Sequence, residues 1–140
     1  MQENWNELMR VRYQKMIELK CLGIEPFGEK YNASHYSNDI IDGFDDLEGR
    51  QVSVAGRLVS KRIHGKATFA NLQDQEGQIQ IYLRQDELGE EAYRQFDLID
   101  IGDYLGLKGS VFRTRRGEVT IEVQNYQLLS KALRPLPEKW

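Results

Sequence analysis

At Gln51 the spacing of apolar residues changes period, and that change decides what this chain can fold into. Before it, Trp5, Leu8, Met9, Tyr13, Met16 and Ile17 recur near helical spacing, which predicts an N-terminal helix. Asn4 with Glu7 three residues on resembles a capping box, Gly23 suits a helix stop, and Pro26 blocks simple continuation. A Gly- and Asx-rich stretch over 24–49 follows, with a short helix near Ser37–Phe44. After Gln51, apolar and polar residues alternate in QVSVAGRLVSKR (51–62), ATFANLQD (67–74) and QIQIYLR (78–84), as in strands with one buried face. IHGK and QEG are the turns between them.

DELGEEAYRQFD (86–97) interrupts with a helical composition and Asp86 as its N-cap. GDYLGLKGSVFRT (102–114) and GEVTIEVQNYQLL (117–129) then form a second hairpin around Arg115–Gly117. Three strands, a helix and two strands is the chain order of the OB-fold, a mainly β, five-stranded Greek-key barrel. Gly56 reads as a bulge or bend, and glycines in the first and fourth strands suit the sharp bending that closes a small barrel. The organisation is then an N-terminal helix and connecting segment over 1–49, packed on a barrel over 50–130.

One residue breaks the alternation. Ala70 and Leu72, then Ile79, Ile81 and Leu83, make the buried face, so Phe69 falls on the polar one with Asn71, Gln78, Gln80 and Tyr82. OB-folds bind single-stranded nucleic acid on the face of strands 2 and 3, where aromatic rings stack on bases and cations follow the phosphates. An outward Phe69 flanked by Arg62 and Lys66 fits that task. The Gln80 amide carries both a donor and an acceptor for the edge of an unpaired base. Glu118 faces outward because Val119, Ile121 and Val123 turn inward, and beside a basic groove a carboxylate serves as acceptor for a base N–H.

Charge is distributed accordingly. The net charge is −3, yet Arg57, Lys61, Arg62 and Lys66 lie within ten residues without an acid, and Lys108, Arg113, Arg115 and Arg116 form a second such run. Segregation of this kind makes a local positive field on an acidic protein. Arg57, Lys61, Lys66 and Arg115 are the candidate phosphate contacts. Two readings remain open beside a base-reading domain: a sequence-tolerant single-strand binder, and a protein-interaction module using the amphipathic N-terminal helix.

The residues give no catalytic or metal site. Cys21 is alone, so neither a disulfide nor a cysteine pair for zinc is possible within the chain. His35 and His64 lack partners spaced for a metal or a triad, and no Gly-rich phosphate loop is present. Glu90/Glu91 read as a solvated helix face. No run approaches the roughly 18 apolar residues of a membrane span, and MQENWNELMR lacks a signal peptide's apolar core, so the expectation is a cytoplasmic protein with no membrane contact.

Four stretches carry a family likeness: RVRYQKMIELKCLGIEPFG (10–28), VAGRLVSKRIHGKATFANLQDQEGQIQIY (54–82), GDYLGLKGSVFRTRRGEVTIEV (102–123) and LLSKALRPLPEK (128–139). Together they resemble the N-terminal anticodon-binding domain of bacterial-type lysyl-tRNA synthetases, which are class II enzymes. KALRPLPEK resembles the linker into their catalytic domain, so 131–140 is expected to begin that linker. Synthetases for aspartate and asparagine share the barrel but not this start and end. The resemblance implies that Phe69 stacks on the middle anticodon base, that Arg62 contacts the same loop, that Gln80 hydrogen-bonds the central uridine and that Glu118 helps read an anticodon uridine. It implies tRNA-Lys as partner. ATP and magnesium are expected only for a catalytic domain, whose motifs these 140 residues lack. It further implies a homodimer for the complete enzyme and a monomer for this stretch.

Overall fold

The computed structural model describes residues 7–21 and 31–132. Helix α1 (Glu7–Cys21) comes first, then two short helices, α2 (Ser37–Asp42) and α3 (Phe44–Leu47). Strands β1 (Gln51–His64), β2 (Ala67–Asp74) and β3 (Gly77–Arg84) follow, then α4 (Gln85–Leu88), α5 (Glu90–Gln95) and a 3₁₀ turn (Phe96–Leu98). Strands β4 (Tyr104–Arg113) and β5 (Val119–Ser130) complete a closed barrel in the order β1-β2-β3-β5-β4. Among the described barrel strands only β3 and β5 pair in parallel, and the mainly β barrel with helices between β3 and β4 is the expected OB-fold.

Closure depends on β1 changing partners midway. Gln51–Arg57 pair with β4 and Arg57–His64 with β2, so Arg57 sits opposite both Tyr104 and Gln73. At the switch the strands come close: a Cβ on Gly56 would stand 2.5 Å from the Gln73 carbonyl oxygen, which excludes any side chain. Gly56 is not the bulge, however. The register steps from Leu58↔Leu72 to Ser60↔Asn71, making Val59 the extra residue.

The inward alternation of the sequence is realised in the core. Leu58, Ala70, Leu72, Ile79, Ile81, Leu83, Leu107 and Ile121 are buried, and Phe96 and Ile99 join the same cluster from the segment between β3 and β4. That segment is not one helix. Gly89 stands at φ +92°, outside the helical region, and splits it into α4 and α5; Asp86 lies inside α4, with Arg84 at the N-cap position. At the barrel's other end Asp74 fixes the start of α2, accepting from the Ser37 N–H at 2.7 Å and the Ser37 hydroxyl at 2.8 Å.

Helix α1 meets the barrel differently from the apolar face its spacing suggests. Leu8, Val11 and Ile17 are exposed, whereas Met9 and Arg12 are buried. The Arg12 guanidinium donates to the Ile101 carbonyl at 3.1 Å, and Lys15 pairs with Asp100 at 2.8 Å. Lys131, where the linker is expected to begin, is buried: its ammonium lies 2.6 Å from Asp103, 2.9 Å from Asp100 and 3.0 Å from the Leu98 carbonyl. Burial alone would raise the Asp100 pKa, but the hydrogen bonds and charges of Lys15 and Lys131 outweigh it and hold it below the ordinary value. Asn4, Trp5, Gly23, Pro26 and the remaining linker positions 133–140 lie outside the described residues.

Candidate nucleic-acid interface

Period 2 and the hairpin registers bring the outward residues of the first three strands together. Arg62 lies opposite Phe69 and Phe69 opposite Tyr82, while Gln80 is two residues from Tyr82 and so shares its face. The β4–β5 hairpin closes the other side. Its turn is tied by Thr114 N–H to the Glu118 carbonyl at 3.0 Å, Gly117 N–H to the Thr114 carbonyl at 2.8 Å and Glu118 N–H to the Thr114 hydroxyl at 3.1 Å. Gly117 makes the turn possible at φ +90°. Between these walls is an open cleft of about 720 Å³, lined by Arg62, His64, Phe69, Gln80, Thr114, Arg115, Arg116 and Glu118.

Phe69, which lines the cleft, is the first of a row of rings. Tyr82 stacks on Phe69 with centroids 4.6 Å apart and planes 26° from parallel, and Phe112 continues the row 6.1 Å from Tyr82. His64 approaches Phe69 edge-on at 6.3 Å. Tyr82 thus covers one face of Phe69 and steadies it, leaving the ring half-buried at the cleft wall.

Gln80 is held at both ends of its amide. Its nitrogen donates to the Thr120 hydroxyl at 3.0 Å, and its oxygen accepts from Arg62 at 3.3 Å. Arg62, Arg115 and Arg116 are exposed, and among the described residues none of them has an acidic partner. The Glu118 carboxylate is likewise without a described cation, so the Arg116 beside it does not neutralise it. Three guanidiniums therefore face one carboxylate in a cleft open to solvent. The nearby Glu122 is tied to Arg84 at 2.6 Å.

Of the eight candidate residues, Arg62, Phe69, Gln80, Glu118 and Arg115 converge on this cleft. Lys61 does not. The bulge at Val59 reverses the alternation, so Lys61 pairs with buried Ala70 and faces away from Arg62. Its ammonium donates to the carbonyls of Phe96 at 3.0 Å and Ile99 at 2.8 Å and lies 4.9 Å from the Phe96 ring centre. Burial lowers its pKa, against the raising pull of Asp97 and Asp100. Its ammonium is thus engaged by the barrel and does not line the cleft. Arg57 sits at the partner switch with its guanidinium 5.5 Å from the Tyr104 ring centre, away from the cleft. Lys66 is exposed at the β1–β2 hairpin tip, beyond the residues that line the cleft.

His64, Thr114 and Arg116 as cleft residues, and Thr120 as the support of Gln80, were not singled out from the sequence. Tyr82 was legible by parity with Gln80. Thr120 was not, because it reaches Gln80 through the parallel β3–β5 pairing across 40 residues. Among the described residues no group of His, Cys, Asp and Glu is placed to hold a metal, and no described helix is long and apolar enough to cross a membrane.

A cationic groove with an aromatic wall across β2 and β3 of a closed five-stranded barrel, flanked by the β1–β2 and β4–β5 hairpins, is the architecture of an OB-fold nucleic acid binding domain. The chain belongs to the tRNA anti-codon family of OB-fold nucleic acid binding domains, whose model matches residues 52–129. It is 50% identical over 135 residues to the lysine–tRNA ligase of Carboxydothermus hydrogenoformans, covering 96% of this chain. It is 52% identical to those of Pelotomaculum thermopropionicum, over 139 residues, and Syntrophomonas wolfei, over 137 residues. The chain spans 28% of the length of each of these relatives.

Proposed function

We propose that this domain recognises the anticodon loop of tRNA-Lys, as the anticodon-binding part of a cytoplasmic lysine–tRNA ligase. The observation that carries this reading is the convergence of Arg62, Phe69, Gln80 and Glu118, from three strands and a hairpin, on one open cleft. Phe69 offers a base the face that Tyr82 leaves uncovered, a stack of about 1–3 kcal/mol. Gln80 and Glu118 supply the edge contacts: the amide answers a uracil N3–H and a flanking carbonyl, the carboxylate a base N–H. Arg62, Arg115 and Arg116 attract the backbone, and Lys66 extends that fringe from the hairpin tip. In this reading lysine, ATP and magnesium, and the dimer such enzymes form, belong outside these 140 residues. The barrel itself contributes recognition and no bond chemistry.

The ring row Phe69–Tyr82–Phe112 favours a second reading, a sequence-tolerant single-strand binder that stacks several bases. Against it, Tyr82 already has Phe69 on its face, and Gln80 is oriented between two partners. Titration of anticodon stem-loops separates the two. A UUU loop is expected to bind about tenfold or more tighter than one with a substituted middle base, given about 1–3 kcal/mol per lost base-edge pair. Equal affinities would establish the sequence-tolerant binder instead.

A further inference from the structure

Gln80 can read a base only if its amide has one orientation, since an amide free to turn over offers donor and acceptor in either order. The environment of Thr120 removes that freedom. Thr120 is fully buried, and its hydroxyl donates to the Glu118 carbonyl at 3.0 Å. A hydroxyl has one proton, so with that proton committed it can only accept from its other neighbour. That neighbour is the Gln80 side chain at 3.0 Å, which must therefore present nitrogen to Thr120. The other end agrees: Arg62, which has only donors, stands 3.3 Å from the amide oxygen. Arg62 is exposed and free to follow a bound RNA, whereas Thr120 is fixed in the barrel wall.

We infer that Thr120 is a positioning residue that locks the polarity of the Gln80 amide, and through it selects uracil over cytosine. The inference rests on the reading of Gln80 as a base-edge contact. Locked, the amide presents its oxygen and its second N–H to the cleft. Uracil answers with N3–H and a flanking carbonyl. Cytosine has an acceptor at N3 and an amino group at position 4, so it needs the opposite order. An amide able to turn over satisfies both bases. In the native barrel turning over sets the amide oxygen against a hydroxyl whose proton is engaged, and the amide nitrogen against Arg62.

The test compares the 140-residue chain with Thr120→Val, which keeps the branched shape and removes the hydroxyl, and Thr120→Ser, which keeps the hydroxyl. Each is titrated with stem-loops carrying uridine or cytidine at the middle anticodon position. Wild type and Thr120→Ser are expected to favour uridine by about tenfold or more, and Thr120→Val by about threefold or less. A wild type without preference would end the reading of Gln80, and the lock with it. A wild-type preference that persists in Thr120→Val would overturn the lock alone. A second measurement does not depend on the valine variant folding. In wild-type protein, nuclear Overhauser contacts are expected from the Gln80 side-chain amide protons to the Thr120 methyl. Their absence, or two interchanging amide orientations, would also overturn the lock.

Discussion

Two neighbourhoods of this barrel are built from similar charged residues and do opposite things with them. Around Lys131 three cations are answered: Lys131 by Asp100 and Asp103, Lys15 by Asp100, and Lys61 by two backbone carbonyls. In the cleft, Arg62, Arg115 and Arg116 have no described acidic partner. A buried charge must be paired to be tolerated, whereas an exposed guanidinium left unpaired keeps its field and its donors for an incoming anion. The contrast falls between adjacent residues, because Lys61 and Arg62 lie on opposite faces of one strand. Position in a basic run therefore says little about function. Face and partner decide it.

The comparison breaks most visibly at Lys131. Lys131→Met leaves Asp103 buried without its cation and is expected to cost about 3–5 kcal/mol of stability in a urea melt. The salt dependence of RNA binding should stay unchanged. A variant as stable as wild type would show that the buried pairs hold nothing together.

Phe69→Ala should act mainly on the other neighbourhood. Anticodon-loop binding is expected to weaken by about 1–3 kcal/mol, and stability to fall by only about 0.5–1.5 kcal/mol through loss of the Tyr82 stack. A larger loss of stability than of binding would make the ring a core residue.

A smaller effect sharpens the boundary itself. Arg116→Ala should lower the slope of log affinity against log salt by about 1 and weaken all RNAs alike. Lys61→Met should leave that slope as it is. Equal slopes lost in both variants would return Lys61 to the phosphate-binding set.

Much of this was legible in the residues. The alternation of Ala70, Leu72, Ile79, Ile81 and Leu83 gave the core face, and Phe69 on the wrong parity pointed to the cleft. That Lys61 faces away from the cleft was not legible, because alternation carries through a strand only while the register holds, and the inserted Val59 shifts it by one. The anchoring of Lys131 was not legible because its partners, Asp100 and Asp103, reach it through the folded chain. Thr120 was hidden for the same reason: its role comes from a parallel pairing that no local pattern announces. Local period reveals faces. It does not reveal which distant group a side chain on that face will meet.

The central claim is that the cleft reads a base and does more than attract a strand. Gln80→Ala tests it most directly, by paired titration of a UUU stem-loop and one with a substituted middle base, at two salt concentrations. Without the amide nothing separates the two middle bases, so their affinities should converge while the salt dependence persists. If Gln80→Ala keeps the wild-type ratio between the two loops, Gln80 does not read the base, and the cleft is a sequence-tolerant groove.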